Sequence, residues 1–163
     1  MLGVLVFDTL PGLFIGVAIS FVLPVYRSSR PNVAVLGRES DTGVFVDVAR
    51  DPNAATVPGV VVLRPESGLY FANAEAIRAR VLDEVERTGA SAVVLDAQTV
   101  PFIDVTAVRM LDALADDLGR RRVRFALARD VGQVRDMLAR VRSESPLRTY
   151  PTRPGRRHGP DPE

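Results

Sequence analysis

Four polar side chains stand where chemistry could occur: Asn73, Asp96, Asp104 and Thr106. Asp104 and Thr106 open an apolar helical stripe, so their oxygens suit the free N–H groups of a first helical turn. Asn73 stands just before another such stripe and reads as an N-cap, with a partner contact as the alternative. Asp96 closes a strand at its carboxyl end, where open α/β sheets bind ligands; the same place suits an acceptor that orders a loop. Other chemistries are excluded by what is missing. The sequence has no cysteine, so disulfides, thiolate catalysis and cysteine metal sites do not arise. The single histidine, His158, lies in a Pro/Gly/Arg-rich stretch that offers no rigid base for a triad or metal cluster. Every basic residue besides it is arginine, which removes Walker and Schiff-base lysines. Neither G-x-G-x-x-G nor a P-loop occurs, and no cofactor or enzymatic constellation is expected.

The elements that must position these residues follow from apolar spacing. The 163 residues are 47 % hydrophobic and carry a formal net charge of +1, enough apolar material for one core. Val33–Gly37 and Val44–Val48 flank the turn residues Asp41-Thr42-Gly43 and predict a hairpin. Val60–Arg64 reads as a strand buried on both faces, followed by a short extension at Leu69-Tyr70-Phe71. Ala74, Ile77, Val81 and Val85 form one helical face, with Arg80/Glu84 and Asp83/Arg87 as pairs on its outer side and Gly89 as the stop. Ala92–Asp96 is the next strand. A second helix follows Asp104, carries Val108, Leu111, Leu114 and Leu118, and ends at Gly119. Val123–Leu127 is a further strand, and a third helix with Val134, Met137, Leu138 and Val141 begins at an Asp130/Gln133 capping box. Strand–helix alternation predicts a mostly parallel or mixed α/β sheet with helices packed on it over 31–146. The Pro/Arg-rich residues 147–163 read as a disordered tail. The Arg120-Arg121-Arg122 run reads as a solvated helix end, and the tail arginines as solubilising or as touching anionic lipid.

Residues 1–30 differ from the rest. Leu2–Tyr26 is apolar with Asp8 as its one charge, and Tyr26, Arg27 and Arg30 follow it. About 25 helical residues reach roughly 37 Å, beyond a hydrocarbon core of about 30 Å. Asp8–Gly12 is turn-like, so a stub, a turn and a short helix compete with one kinked helix. A transmembrane segment is expected over 1–30, against the alternatives of a signal peptide and a buried core helix. The tyrosine–arginine flank is that of a cytoplasmic boundary, which puts the remainder in the cytoplasm.

Several blocks in order carry a family resemblance. Val4–Gly12 and Tyr26–Pro31 resemble the last membrane helices of the SulP anion permeases. Val33–Arg38, Val61–Pro65 with Leu69–Ala74, and Val94–Asp96 with Ile103–Ala107 resemble that family's STAS domain. The resemblance implies the carboxy-terminal part of a sulfate-type permease, beginning partway through a membrane helix and unable to transport alone. It implies a plasma-membrane location with the STAS domain in the cytoplasm. The implied partners are the permease's membrane domain, the lipid bilayer, cytosolic regulatory proteins and a second copy of the chain, with no nucleic acid. The alternative is a membrane-tethered STAS signalling module. In anti-sigma-factor antagonists of the STAS type an Asp-Ser-Ser-Gly motif opens the second helix, and the first serine is phosphorylated where helix N–H groups favour an anion. Here Asp104-Val105-Thr106-Ala107 occupies that motif. Val105 lacks the hydroxyl, Thr106 keeps one a residue later, and Asp104, Val105 and Thr106 remain as a regulatory or docking loop.

Overall fold

The computed structural model describes residues 9–29, 31–130, 132–141 and 148–150. Its elements are α1 (Thr9–Ser28), β1 (Val33–Arg38), β2 (Phe45–Asp47), β3 (Val60–Pro65), α2 (Ala74–Thr88), β4 (Ala92–Asp96), α3 (Val105–Arg120), β5 (Arg124–Ala128), α4 (Gly132–Val141) and β6 (Arg148–Tyr150). The six strands form one mixed sheet in the order β2-β1-β3-β4-β5-β6. The expected hairpin is the antiparallel β1/β2 pair, and β1 also runs antiparallel to β3. β3, β4, β5 and β6 are mutually parallel, and β4, β5 and β6 are each reached through a helix, as strand–helix alternation requires.

Alternation along the strands divides the sheet into two faces. Val61, Leu63, Val93, Leu95, Phe125 and Leu127 pack against Ile77, Val81, Leu111, Leu114 and Leu118 of α2 and α3 in one core cluster. The other face carries Ala34, Leu36 and Val62, with Val60 and Val94 partly buried beside them. The periodic stripes read from α2 and α3 are the stripes that are buried. α2 stops at Gly89, whose φ of 63° is cheap only without a side chain, and its N–H bonds Val85 O. α3 continues through Gly119 to Arg120, and the chain reverses at Arg122 with φ 60°.

Two expectations need correction. No helix among the described residues is long and apolar enough to cross a membrane. The transmembrane segment expected over 1–30 therefore has no span here: residues 1–8 lie outside the described residues, and α1 contains Pro24. α1 is a single 20-residue helix, but Pro11, Gly12, Gly16 and Pro24 lie within it and Arg27 in its last turn, which dilutes its apolar character. Every residue from Leu13 to Pro24 is exposed, so α1 is also not a core helix of this domain. The tail expected from 147 begins instead with β6, whose backbone pairs with Ala126–Ala128; residues 151–163 lie outside the described residues.

Glu84 departs from the outer face assigned to it. It is fully buried, bonded by Arg87 and paired with Arg80 at 3.3 Å, while Asp83 makes its close ion pair with Arg80 at 3.2 Å and acts on Arg87 only through its charge. The Arg87 hydrogen bonds hold the Glu84 carboxyl below its ordinary value of 4.5, against the opposing effect of burial. A depressed carboxyl stabilises the fold above its unfolded pKa, and that stabilisation is lost as pH falls through the folded one. Stability is thus expected to fall below about pH 4.5, less steeply in Glu84→Gln. Urea midpoints measured from pH 7 to pH 3 check this; parallel curves for the two proteins would count against it.

Candidate functional site

The loops after β3 and β4 leave the same end of the sheet and are joined to each other. Leu69 N–H donates to Phe102 O at 3.0 Å and Asp104 N–H to Leu69 O at 3.1 Å, around a parallel bridge between Leu69 and Ile103. Leu69 and Ile103 are buried in the core, which fixes the loop backbones, while Phe71 and Phe102 stay exposed.

Asp104 is the N-cap of α3, as its position implied. Its Oδ1 accepts from Ala107 N–H at 2.8 Å, and its Oδ2 accepts from Phe71 N–H at 2.9 Å in the other loop. Val105 and Thr106 are exposed, and the Thr106 hydroxyl has no hydrogen-bond partner among the described residues. The cap is therefore the carboxylate alone. Thr106→Val is expected to change stability by no more than about 0.5 kcal/mol in a urea titration, since only an exposed hydroxyl is lost.

Asn73 holds the N-cap position of α2 without a side-chain cap bond. Its φ of −120° and ψ of −6° turn the side chain back into its own loop. There Oδ1 accepts from Tyr70 N–H at 3.0 Å and Nδ2 donates to Gly68 O at 2.8 Å. Completely buried, Asn73 is a staple for residues 67–70 and is not presented to a ligand.

Asp96 is 1 % exposed and lies on the sheet face away from the helices. Arg64 of β3 donates to it through Nε at 2.8 Å, and Arg129, just past β5, through Nε at 2.9 Å and through Nη2. Gln98 N–H also donates to it, at 3.1 Å. The expected loop-ordering acceptor is thus a carboxylate clamped by two guanidiniums. The structure does not bring it together with Asp104, which serves the opposite face.

What the sequence reading missed is the apolar surface around Asp104. Phe71 is 73 %, Phe102 48 % and Val105 42 % exposed. Tyr70 lies between the two phenylalanines, with ring centroids 5.8 Å from Phe71 and 5.9 Å from Phe102. Phe102 lies over Gly68, where an added Cβ would stand 2.5 Å from the ring. The available signal was two phenylalanines in loops that must run at the surface, each a few residues from a helix start.

The model of the STAS domain family matches residues 51–154. High affinity sulfate transporter 1 of Stylosanthes hamata is 34 % identical over 127 residues, which are 72 % of this chain and 19 % of the transporter. Sulfate transporter 2.2 of Arabidopsis thaliana is 32 % identical over 161 residues, 90 % of this chain and 24 % of the transporter. The chain thus spans a fifth to a quarter of the length of these curated relatives. Among solved structures, the murine Solute Carrier 26 family member A9 anion transporter in the inward-facing state superposes with a TM-score of 0.69 at 26 % identity, over 79 % of this chain and 21 % of that one. An anti-sigma factor antagonist structure from Thermotoga maritima shares the fold, with a TM-score of 0.53 at 24 % identity over 59 % of this chain and 82 % of that one.

Proposed function

Because the chain belongs to the STAS domain family and is homologous to the STAS region of sulfate transporters, we propose that it is the regulatory domain of a sulfate-type anion transporter. In this reading it acts through the surface formed by Phe71, Phe102 and Val105 around the Asp104 cap, pressed against a membrane transport region. The observation that carries the reading is the place where α1 leaves the domain. β1 begins at Val33 opposite Pro65, the last residue of β3, and Asn32 is bonded to Glu66 through both its carbonyl and its Nδ2. The polypeptide preceding β1 therefore departs from the same end of the sheet as the two aromatic loops. α1 is apolar on every side and exposed, as a helix is when its packing partners are other apolar helices.

The chemistry is that of docking. Asp104 and Asn73 have their polar atoms engaged inside the loops, so the surface offers aromatic rings and a valine with little competing polarity. A phospho-switch is not supported at this loop, because Val105 carries no hydroxyl where the resemblance places the accepting serine. Transport itself falls to the partner region. An anion path needs a polar cavity walled by several helices, and α1, the helix described ahead of the sheet, exposes Leu, Phe, Ile and Val. The proposed setting is a membrane with the STAS domain on its cytoplasmic side.

A photoreactive phenylalanine analogue at position 71 or 102 tests the reading in membranes of cells producing the chain. Cross-links to a membrane-embedded transport segment are expected, and none from a probe at Arg121 at the opposite end of the sheet. Cross-links from positions 71 and 102 to soluble proteins only would reject it.

A further inference from the structure

We propose that Arg64 and Arg129 form a binding site for a small tetrahedral oxyanion, such as sulfate or phosphate, on the sheet face away from the helices. The site needs only the folded domain and stands apart from the docking surface. Asp96 accepts four hydrogen bonds, from Arg64 Nε at 2.8 Å, Arg129 Nε at 2.9 Å, Arg129 Nη2 and Gln98 N–H at 3.1 Å, and Arg64 Nη2 lies 2.8 Å from it as an ion-pair contact. A carboxylate offers about four lone-pair sites, so this one is saturated. Two guanidiniums against one carboxylate leave one positive charge unmatched. Two other carboxylates are paired with arginines of their own, Asp130 with Arg135 and Asp47 with Arg50, and Glu66 accepts from the neutral Asn32 amide.

The unmatched charge is partly withdrawn from water, since the two arginine side chains are 18 % and 29 % exposed. Nη1 of each guanidinium has no acceptor among the described residues. Arg64 Nη2 makes one further contact, at 3.4 Å to Phe45 O. The neighbours across the sheet at this level are small: Ala34 pairs with Arg64 and Ala128 with Asp96. Arg129 is also held at φ 57°, a left-handed conformation rarely adopted by a residue with a side chain. That conformation accompanies the return of its guanidinium to Asp96. Two forks fixed by one buried carboxylate, with free N–H edges and a surplus positive charge, suit an ion that accepts through several oxygens.

The test uses the full chain in detergent with arginine guanidinium groups followed by NMR, titrated with sodium sulfate, sodium phosphate and sodium chloride at constant ionic strength. Saturable shifts of the Arg64 and Arg129 Nε–H signals with sulfate and phosphate, and none with chloride, are expected. Arg129→Gln should weaken binding at least tenfold. Arg64→Lys, which keeps the charge and loses the fork, should weaken it several-fold and serves if the first variant does not fold. Arg121→Gln should leave it unchanged. Shifts that do not saturate and are shared by Arg121, equal shifts with chloride, or unaltered binding in Arg129→Gln or Arg64→Lys would overturn the proposal.

Discussion

Asp96→Ala is expected to destabilise the domain by about 3 kcal/mol, the lower part of the range for removing one partner of a buried ion pair. The carboxylate is buried and anchors groups from three segments: Arg64 on β3, Gln98 after β4 and Arg129 after β5. Its removal leaves two like charges facing each other with no counter-charge. Their partial exposure lets them turn toward water, which is why the lower figure applies. Asp96→Asn retains the shape and one acceptor oxygen and should cost less than the alanine. Denaturant midpoints at pH 7 measure both, with Asp83→Ala as the reference for an exposed carboxylate ion-paired with Arg80. A change below about 0.5 kcal/mol for Asp96→Ala, the range of ordinary surface substitutions, would show that the cluster contributes nothing to holding the strands.

Asp104→Ala is expected to cost roughly 2 kcal/mol, from a lost N-cap and a second donor left without its acceptor. The two losses are unequal. Ala107 is fully buried, so its N–H finds no water when the carboxylate is gone. Phe71 is exposed, so its N–H can be solvated, at the expense of order in its loop. Asp104→Asn keeps an oxygen for one donor and should fall about midway. Hydrogen exchange at Ala107 and Phe71 separates the two contributions. Exchange at Phe71 unchanged in Asp104→Ala would mean that the carboxylate does not tie the loops together.

The fold was legible where burial is periodic. The β-branched runs Val60–Leu63 and Val93–Leu95 could only be interior strands, and the three- and four-residue spacing of Val108, Leu111, Leu114 and Leu118 could only be one side of a helix. Asp104 was legible as a cap because capping is local. Asn73 was legible as the N-cap position but not in its side chain's role: its amide is taken by Gly68 and Tyr70, and the turn that brings them round is not encoded in a cap pattern. Glu84 was assigned outward by its charge, yet it sits at the margin of the buried stripe, where Arg80 and Arg87 can shield it. The Arg64–Asp96–Arg129 cluster joins residues 32 and 33 positions apart, a distance only the parallel sheet closes. Its visible traces were Asp96 at the carboxyl end of its strand and an arginine late in the preceding apolar run. The length of the apolar run at the amino terminus misled, because the described helix starts at Thr9 and includes Pro11, Gly12, Gly16, Pro24 and Arg27.

The central claim is that the aromatic loops transmit the domain's influence to a transport region, and sulfate uptake tests it most directly. The chain would replace the corresponding STAS region of a sulfate transporter, with uptake of labelled sulfate measured per transporter at the membrane. Phe71→Ser with Phe102→Ser removes the exposed rings while leaving the Asp104 and Asn73 bonds and the core intact. Several-fold altered uptake for that double variant is expected, with Arg121→Ser behaving as the unmodified chimera. Uptake identical in all three, with the double variant folded and equally abundant, would contradict the account.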